Sequence, residues 1–243
     1  MSVSSSHRVF VAGATGYTGR AVVETLRNMG IPVWAHVRAN SARAEALIPE
    51  FEGRGAQVVR TEWNTDALKA ELQTVQPTVV FALLGITRSG AQREAKRTGK
   101  LPDYETVDYG MTRMLLDATR AVAPSARFVY LSSMGISDKR PPNAYMLARW
   151  KCEQDIFASG SDYLIARPSF ISGPDRDESR PMERMASSVV GAFGGALAAV
   201  GITAVERSIG PISNHQLARV LVDSALDPAQ TKRILEAKEM PRR

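Results

Sequence analysis

The segment RVFVAGATGYTGR, residues 8–20, sets three glycines at three-residue intervals between a short apolar run and a helical pattern. Few arrangements constrain a fold more. Gly13, Gly16 and Gly19 each answer a separate steric demand: a tight turn off a strand, close approach of backbone to a pyrophosphate, and close packing of helix on strand. The start of the following helix presents unpaired N–H groups to an anion. Val9, Phe10 and Val11 read as the strand, Thr18 as the cap, and residues 21–28 as a helix ended by Gly30.

Beyond this turn, strand and helix signals alternate, the pattern of a parallel sheet wrapped on both faces. Strands are expected at 32–37, 56–60, 78–84, 127–131 and 163–166, and helices at 41–48, 65–75, 104–122 and 143–158. Asn64 or Thr65 caps the third helix. Val107, Met111, Met114, Leu115 and Ala118 are expected on the buried face of the fourth. The fold class is therefore α/β, a doubly wound parallel sheet. At 243 residues the chain fits one such domain, with 174–243 contributing a small, mostly helical C-terminal lobe.

Composition removes several functions. The single cysteine, Cys152, forms no internal disulfide and no cysteine-based metal cluster, and reads as buried filler in a reducing compartment. His7, His36 and His215 stand at no ligand spacing and are expected to be structural or exposed. Residues 1–7 are too short and polar for a signal peptide, so a cytoplasmic location is expected. A net charge of +6 raises the question of nucleic acid. Yet the basic cluster Arg88, Arg93, Lys96, Arg97 and Lys100 has no interleaved aromatic residues for base stacking, and it reads instead as a loop near an anionic ligand. Residues 185–205 carry no charge but are rich in alanine and glycine, which favours a packed segment, pocket lid or subunit contact over a membrane span. No G-x-S-x-G hydrolase string occurs, and Asp108 reads as helix surface or interface.

The chemistry gathers at the strand ends. A carboxylate after the second strand would bond the ribose hydroxyls of NAD, whereas an arginine accepts the 2′-phosphate of NADP. This chain has Arg38 there, with Ser41 and Arg43 nearby, so NADP(H) is preferred over NAD(H). The fourth strand ends at Leu83-Leu84-Gly85, where a small residue lets backbone pass beneath a dinucleotide. Ser133 follows the fifth strand, and twelve residues later Tyr145 opens a helix with Arg149 one turn on. In hydride transfer the carbonyl oxygen gains negative charge, so one group must protonate it and another must hold it. A phenol is a weak acid, and a cation one helical turn away strengthens it. Glu153, a further turn along, is a candidate partner for Arg149.

The strings GATGYTG, SSMG, Tyr145 with a cation four residues on, and ARPSFISGP resemble the short-chain dehydrogenase/reductase superfamily of atypical or extended type. LLGITR and DRDESRP narrow the resemblance to the branch typified by the Tat-interacting oxidoreductase-like proteins. Membership implies a Rossmann sheet, bound NADP(H), serine-tyrosine-lysine chemistry, and Pro168 beside the nicotinamide. Where that pattern has lysine, this chain has Arg149, and Lys151 faces elsewhere on the helix. The candidate catalytic residues are Ser133, Tyr145 and Arg149. The candidate cofactor-binding residues are Gly13, Thr15, Gly16, Tyr17, Thr18, Gly19, Arg38, Leu84, Gly85, Arg149 and Pro168. Two functions stand open: an NADPH-dependent oxidoreductase acting on a small carbonyl or quinone-type substrate, and a non-catalytic NADP(H)-binding regulator acting through a protein partner. Sugar-nucleotide epimerisation uses the same scaffold, but no nucleotide-diphosphate site is recognisable after Pro168. A homodimer is possible through the helix at 104–122 or the uncharged segment.

Overall fold

The computed structural model describes residues 7–38, 43–86, 95–96, 99, 103–172 and 210–240. Strand β1 (Val9–Ala12) is buried along its whole length because both of its faces are covered. Val9 and Val11 enter one core, Phe10 and Ala12 the other. That two-sided burial is why the strand reads as an unbroken apolar run rather than an alternating one. Around β1 lie β2 (Val33–His36), β3 (Gln57–Val59), β4 (Val79–Ala82), β5 (Arg127–Leu131) and β6 (Tyr163–Arg167). With β9 (Arg233–Glu236) they form a sheet in the order β3-β2-β1-β4-β5-β6-β9, every pair parallel. The order reverses between β1 and β4, where Val9 lies opposite both Val33 and Val79.

Helices cover both faces. On one side α1 (Tyr17–Asn28), α2 (Ala44–Gly53) and α6 (Asn214–Leu226) pack on the Val9/Val11 core through Val22, Leu26, Phe51, Leu217 and Leu221. On the other, α3 (Thr65–Val75), α4 (Met111–Val122) and α5 (Ala144–Ala158) bury Leu72, Leu115, Cys152 and Ile156 against Phe10, Phe128 and Tyr130. The doubly wound α/β class is thus observed. Asn64 caps α3 by accepting from Ala67 N at 2.9 Å, and Asn143 caps α5 by accepting from Met146 N at 2.8 Å.

Three expectations change. Helix α1 starts at Tyr17, with Gly16 as its cap and no side-chain cap bond, so Thr18 is a buried first-turn residue rather than the cap. Before α4 runs a π-helical turn, Glu105–Gly110. The buried face is formed by Asp108, Thr112, Leu115, Leu116, Ala118 and Thr119, leaving Val107, Met111 and Met114 half-buried. The hydroxyls of Thr112 and Thr119 are satisfied by the carbonyls four residues back, at 2.7 Å each.

The third change concerns the segment 174–243, of which 210–240 is described. That part is built into the main sheet and its flanking layer rather than set apart as a helical lobe. A two-stranded parallel pair, β7 (Ile171–Ser172) with β8 (Ile212–Ser213), returns the chain to α6, and β9 then adds the seventh strand beside β6. Residues 185–205, together with Ser41, Arg88, Arg93, Arg97 and Lys100, lie outside the described residues.

Candidate active site

At the carboxyl end of β1 the chain turns with no room to spare. Gly13 adopts φ +79°, and a Cβ there would stand 2.4 Å from the Leu83 carbonyl oxygen; a Cβ at Gly19 would stand 2.1 Å from the Gly13 carbonyl oxygen. Glycine is therefore obligatory at both. The Gly16 N–H donates to Gly13 O at 2.9 Å and closes the turn. No side chain caps α1 and no acid occupies its first turn, so the helix start carries a net positive dipole end. This turn lies where the strand order reverses, the crevice in which open α/β sheets take ligands. Thr15 and Tyr17 are half-buried beside it, and the Tyr17 hydroxyl donates to Ser172 O at 3.1 Å. Arg38 is exposed just past β2.

The second half of the site is built on the exits of β4 and β5. Leu84 is half-buried and Gly85 exposed. Ser133, half-buried, follows β5, and its hydroxyl lies 3.4 Å from Met134 O. Met134 N donates to the carbonyl of buried Pro168 at 3.0 Å, which ties the β5 and β6 exits together. The first turn of α5 leans on the same place, since a Cβ at Gly135 would touch Met146 at 3.4 Å. Tyr145 opens that turn, half-buried, with its ring edge-on to Tyr104 at 5.4 Å between centroids.

Arg149 differs from expectation. Its Cζ lies 5.4 Å from the Tyr145 ring centroid, but the residue is only 7 % exposed and the guanidinium is engaged by protein. Nη2 donates to Asp108 Oδ1 at 2.8 Å, and Nη1 donates to Leu131 O at 2.7 Å and to the Tyr130 hydroxyl at 3.3 Å. It does not present its fork to a ribose, and its partner is Asp108 rather than Glu153. Asp108 is accordingly not a surface residue: it is fully buried, and its second oxygen accepts from Ile86 N at 3.0 Å. Burial raises the Asp108 carboxyl above its ordinary range, opposed by Arg149 and the Ile86 amide. Burial likewise works against the Arg149 charge, but the hydrogen bond to the Tyr130 hydroxyl and the Asp108 carboxylate hold it firmly protonated.

Glu153 was free to take other partners. Fully buried, it accepts from the Ser132 hydroxyl at 2.5 Å and from Arg167 Nη2 at 2.5 Å, and Arg167 Nη1 reaches Glu236 of β9 at 2.8 Å. Residues 145, 149 and 153 thus form one polar row along α5, at the i, i+4, i+8 spacing of a single face. That row was the available signal for Asp108 and Arg167, since buried charges on a helix need partners from the strands beneath. Lys151, by contrast, faces outward to Glu105 at 2.6 Å. His36 is buried, bonded to Thr61 O at 2.8 Å and stacked edge-on with Trp63, while His215 is exposed. Among the described residues no cluster of His, Cys, Asp and Glu could hold a metal ion, and no helix is long and apolar enough to cross a membrane.

A glycine-lined turn and an uncapped helix start at the switch point of a parallel sheet define a dinucleotide-binding Rossmann protein. The chain belongs to the NAD(P)H-binding family, whose model matches residues 13–228. Its resemblance to atypical or extended short-chain dehydrogenase/reductases therefore stands. It is 31 % identical over 182 residues to the chloroplastic protein TIC 62 of Pisum sativum, covering 68 % of this chain and 33 % of that one. To mitochondrial fmp52-1 of Aspergillus oryzae it is 26 % identical, covering 75 % of this chain and 73 % of that one. To the divinyl chlorophyllide a 8-vinyl-reductase of Oryza sativa subsp. indica it is 30 % identical, over 68 % of this chain and 40 % of that one. The chain thus spans about a third of the TIC 62 length. The compartments named for these relatives are chloroplast and mitochondrion, and they lend no support to a cytoplasmic location. Among solved structures, the fold matches Bordetella bronchiseptica WbmG in complex with NAD and UDP, with a TM-score of 0.67, 12 % identity, and coverage of 96 % of this chain and 73 % of that one.

Proposed function

We propose that this chain is an NADP(H)-dependent oxidoreductase that reduces a small carbonyl or quinone-type substrate, with Tyr145 as proton donor. The observation that carries this reading is the shared end of the sheet. The Gly13–Gly19 turn leaves β1 at the same carboxyl end of the sheet where Ser133 leaves β5 and Tyr145 opens α5. The residues present fit a dinucleotide, because a cradle that a Cβ would fill and a helix start without cap or acid suit a diphosphate. Gly13, Thr15, Gly16, Tyr17, Thr18 and Gly19 would hold the diphosphate, Arg38 the 2′-phosphate, Leu84 and Gly85 the floor, and Pro168 the nicotinamide side. The bound dinucleotide supplies the hydride. Ser133 orients the substrate oxygen, and Tyr145 gives it a proton as negative charge develops. Arg149 holds the Tyr145 ring from its face, its charge already shared with Asp108. In a screen of aldehydes, ketones and quinones, NADPH is expected to be consumed. Tyr145→Phe should lower kcat by roughly 100-fold or more while leaving NADPH affinity unchanged.

The enclosure of Arg149 favours a second reading. A cation bonded to a buried carboxylate offers less field to a phenol than a free one. A non-catalytic NADP(H)-binding regulator that acts through a protein partner would need the cradle and not the proton donor. NADPH binding without turnover across the screen, in both the natural chain and Arg149→Lys, would decide for the regulator.

A further inference from the structure

We infer that Asp108 is a positioning residue for the nicotinamide half of the site, an inference that rests on the dinucleotide reading above. Its two carboxylate oxygens have separate duties: Oδ2 holds the Ile86 amide at the exit of β4, and Oδ1 holds Arg149 of α5. Arg149 passes the connection on to the exit of β5 through Leu131 O. The pair also presses against the floor, since a Cβ at Gly85 would stand 2.6 Å from Arg149 Nη2 and 3.2 Å from Asp108 Oδ1. Gly85 is small because the ion pair lies beneath it. Asp108 stands in the π-helical turn ahead of α4 and lies fully buried between the two strand exits.

A dinucleotide whose diphosphate rests at Gly13–Gly19 extends in two directions. Its adenosine half lies toward β2 and Arg38, and its nicotinamide half toward β4, β5 and Tyr145. Asp108 contacts the framework of the second half alone. Removing its charge leaves Arg149 buried without a counter-ion, so the guanidinium must move from beneath Gly85, and the Ile86 amide loses an ionic acceptor. The Leu84–Ile86 floor then shifts, while the glycine turn and the β2 exit stay in place.

The test compares two probes, NADPH and the fragment adenosine 2′,5′-bisphosphate, by equilibrium titration of the natural chain and Asp108→Asn. The expected result is a split: NADPH affinity falls by about tenfold or more, while fragment affinity stays within about twofold. Equal weakening of both probes would assign Asp108 a general structural role and overturn the inference, as would no change in either. Should Asp108→Asn fail to fold, Asp108→Asn/Arg149→Gln leaves no buried charge unpaired yet still removes the ionic tie between the β4 and β5 exits, so the same split is expected of it. A natural chain that binds neither probe would overturn the dinucleotide reading itself, a different failure from an absent split.

Discussion

At Gly19 a single methyl group decides whether the phosphate turn exists. Its Cβ would meet the Gly13 carbonyl oxygen at 2.1 Å and the Ala14 Cα at 2.9 Å, both backbone atoms that cannot swing aside. Gly19→Ala is therefore expected to weaken NADPH binding by about tenfold or more, measured by fluorescence titration, with a lowered melting temperature. Cys152 answers to pH instead. Burial, first among the causes, pushes its thiol up from 9.0 to about 11. Between those values the unfolded chain loses this proton and the folded chain keeps it, so the contribution is whole below pH 9 and is lost as pH rises toward 11. Urea unfolding at pH 8, 9, 10 and 11 should show stability falling more steeply in the natural chain than in Cys152→Ala; parallel slopes would count against a buried thiol. The lysine-to-arginine departure at 149 belongs to this scale too. A planar fork can bond a carboxylate, a carbonyl and a hydroxyl at once, which suits a buried brace better than a compact ammonium.

Helix α5 shows how polar groups can organise a buried element. Tyr145 stands in its first turn, Arg149 reaches the exit of β5 and, through Asp108, that of β4, and Glu153 joins Ser132, Arg167 and, through Arg167, β9. Glu153→Ala leaves Arg167 and Ser132 short of a buried acceptor and is expected to cost about 3 kcal/mol, read from urea unfolding. A loss under about 0.5 kcal/mol would show that the network is dispensable. The span of α5 was legible from its start at Asn143, a residue type suited to the cap that the structure shows there. Its partners were not, because a charge row on a helix reads equally as a solvated face until the strands beneath are placed. Asp108 was misjudged for a related reason. It stands seven residues before Leu115, on nearly the same helical face, but a lone carboxylate there reads as a surface group until its buried partner Arg149 is placed. Helix α1 starts earlier than a Thr18 cap implies, because the structure uses Gly16 and leaves the amides open.

Across the whole molecule, the glycine turn and the strand-helix alternation made the doubly wound sheet legible, since a fully buried strand needs an apolar run that few other contexts allow. The seventh strand was not, for Arg233–Glu236 is four residues long and charged at both ends, as an edge strand can be. It nonetheless covers β6 along Leu164–Arg167 and buries Leu235. A chain ending before residue 231 should expose that edge, melt lower and self-associate on size-exclusion chromatography. Unchanged melting and elution would mean that β9 adds little. Helix α6, arriving from the same end of the chain, packs on α1 in one core, so the phosphate-binding helix is held by residues nearly two hundred positions away. The turn at Gly13–Gly19 is proposed to grip a pyridine dinucleotide, and Arg38 to select the phosphorylated one. Calorimetric titration of the folded chain with NADPH and NADH tests it most directly. Saturable one-to-one binding of both is expected, tighter for NADPH, with Arg38→Ala bringing the two together. Cooperatively melting protein that gives no heat with either dinucleotide would contradict it.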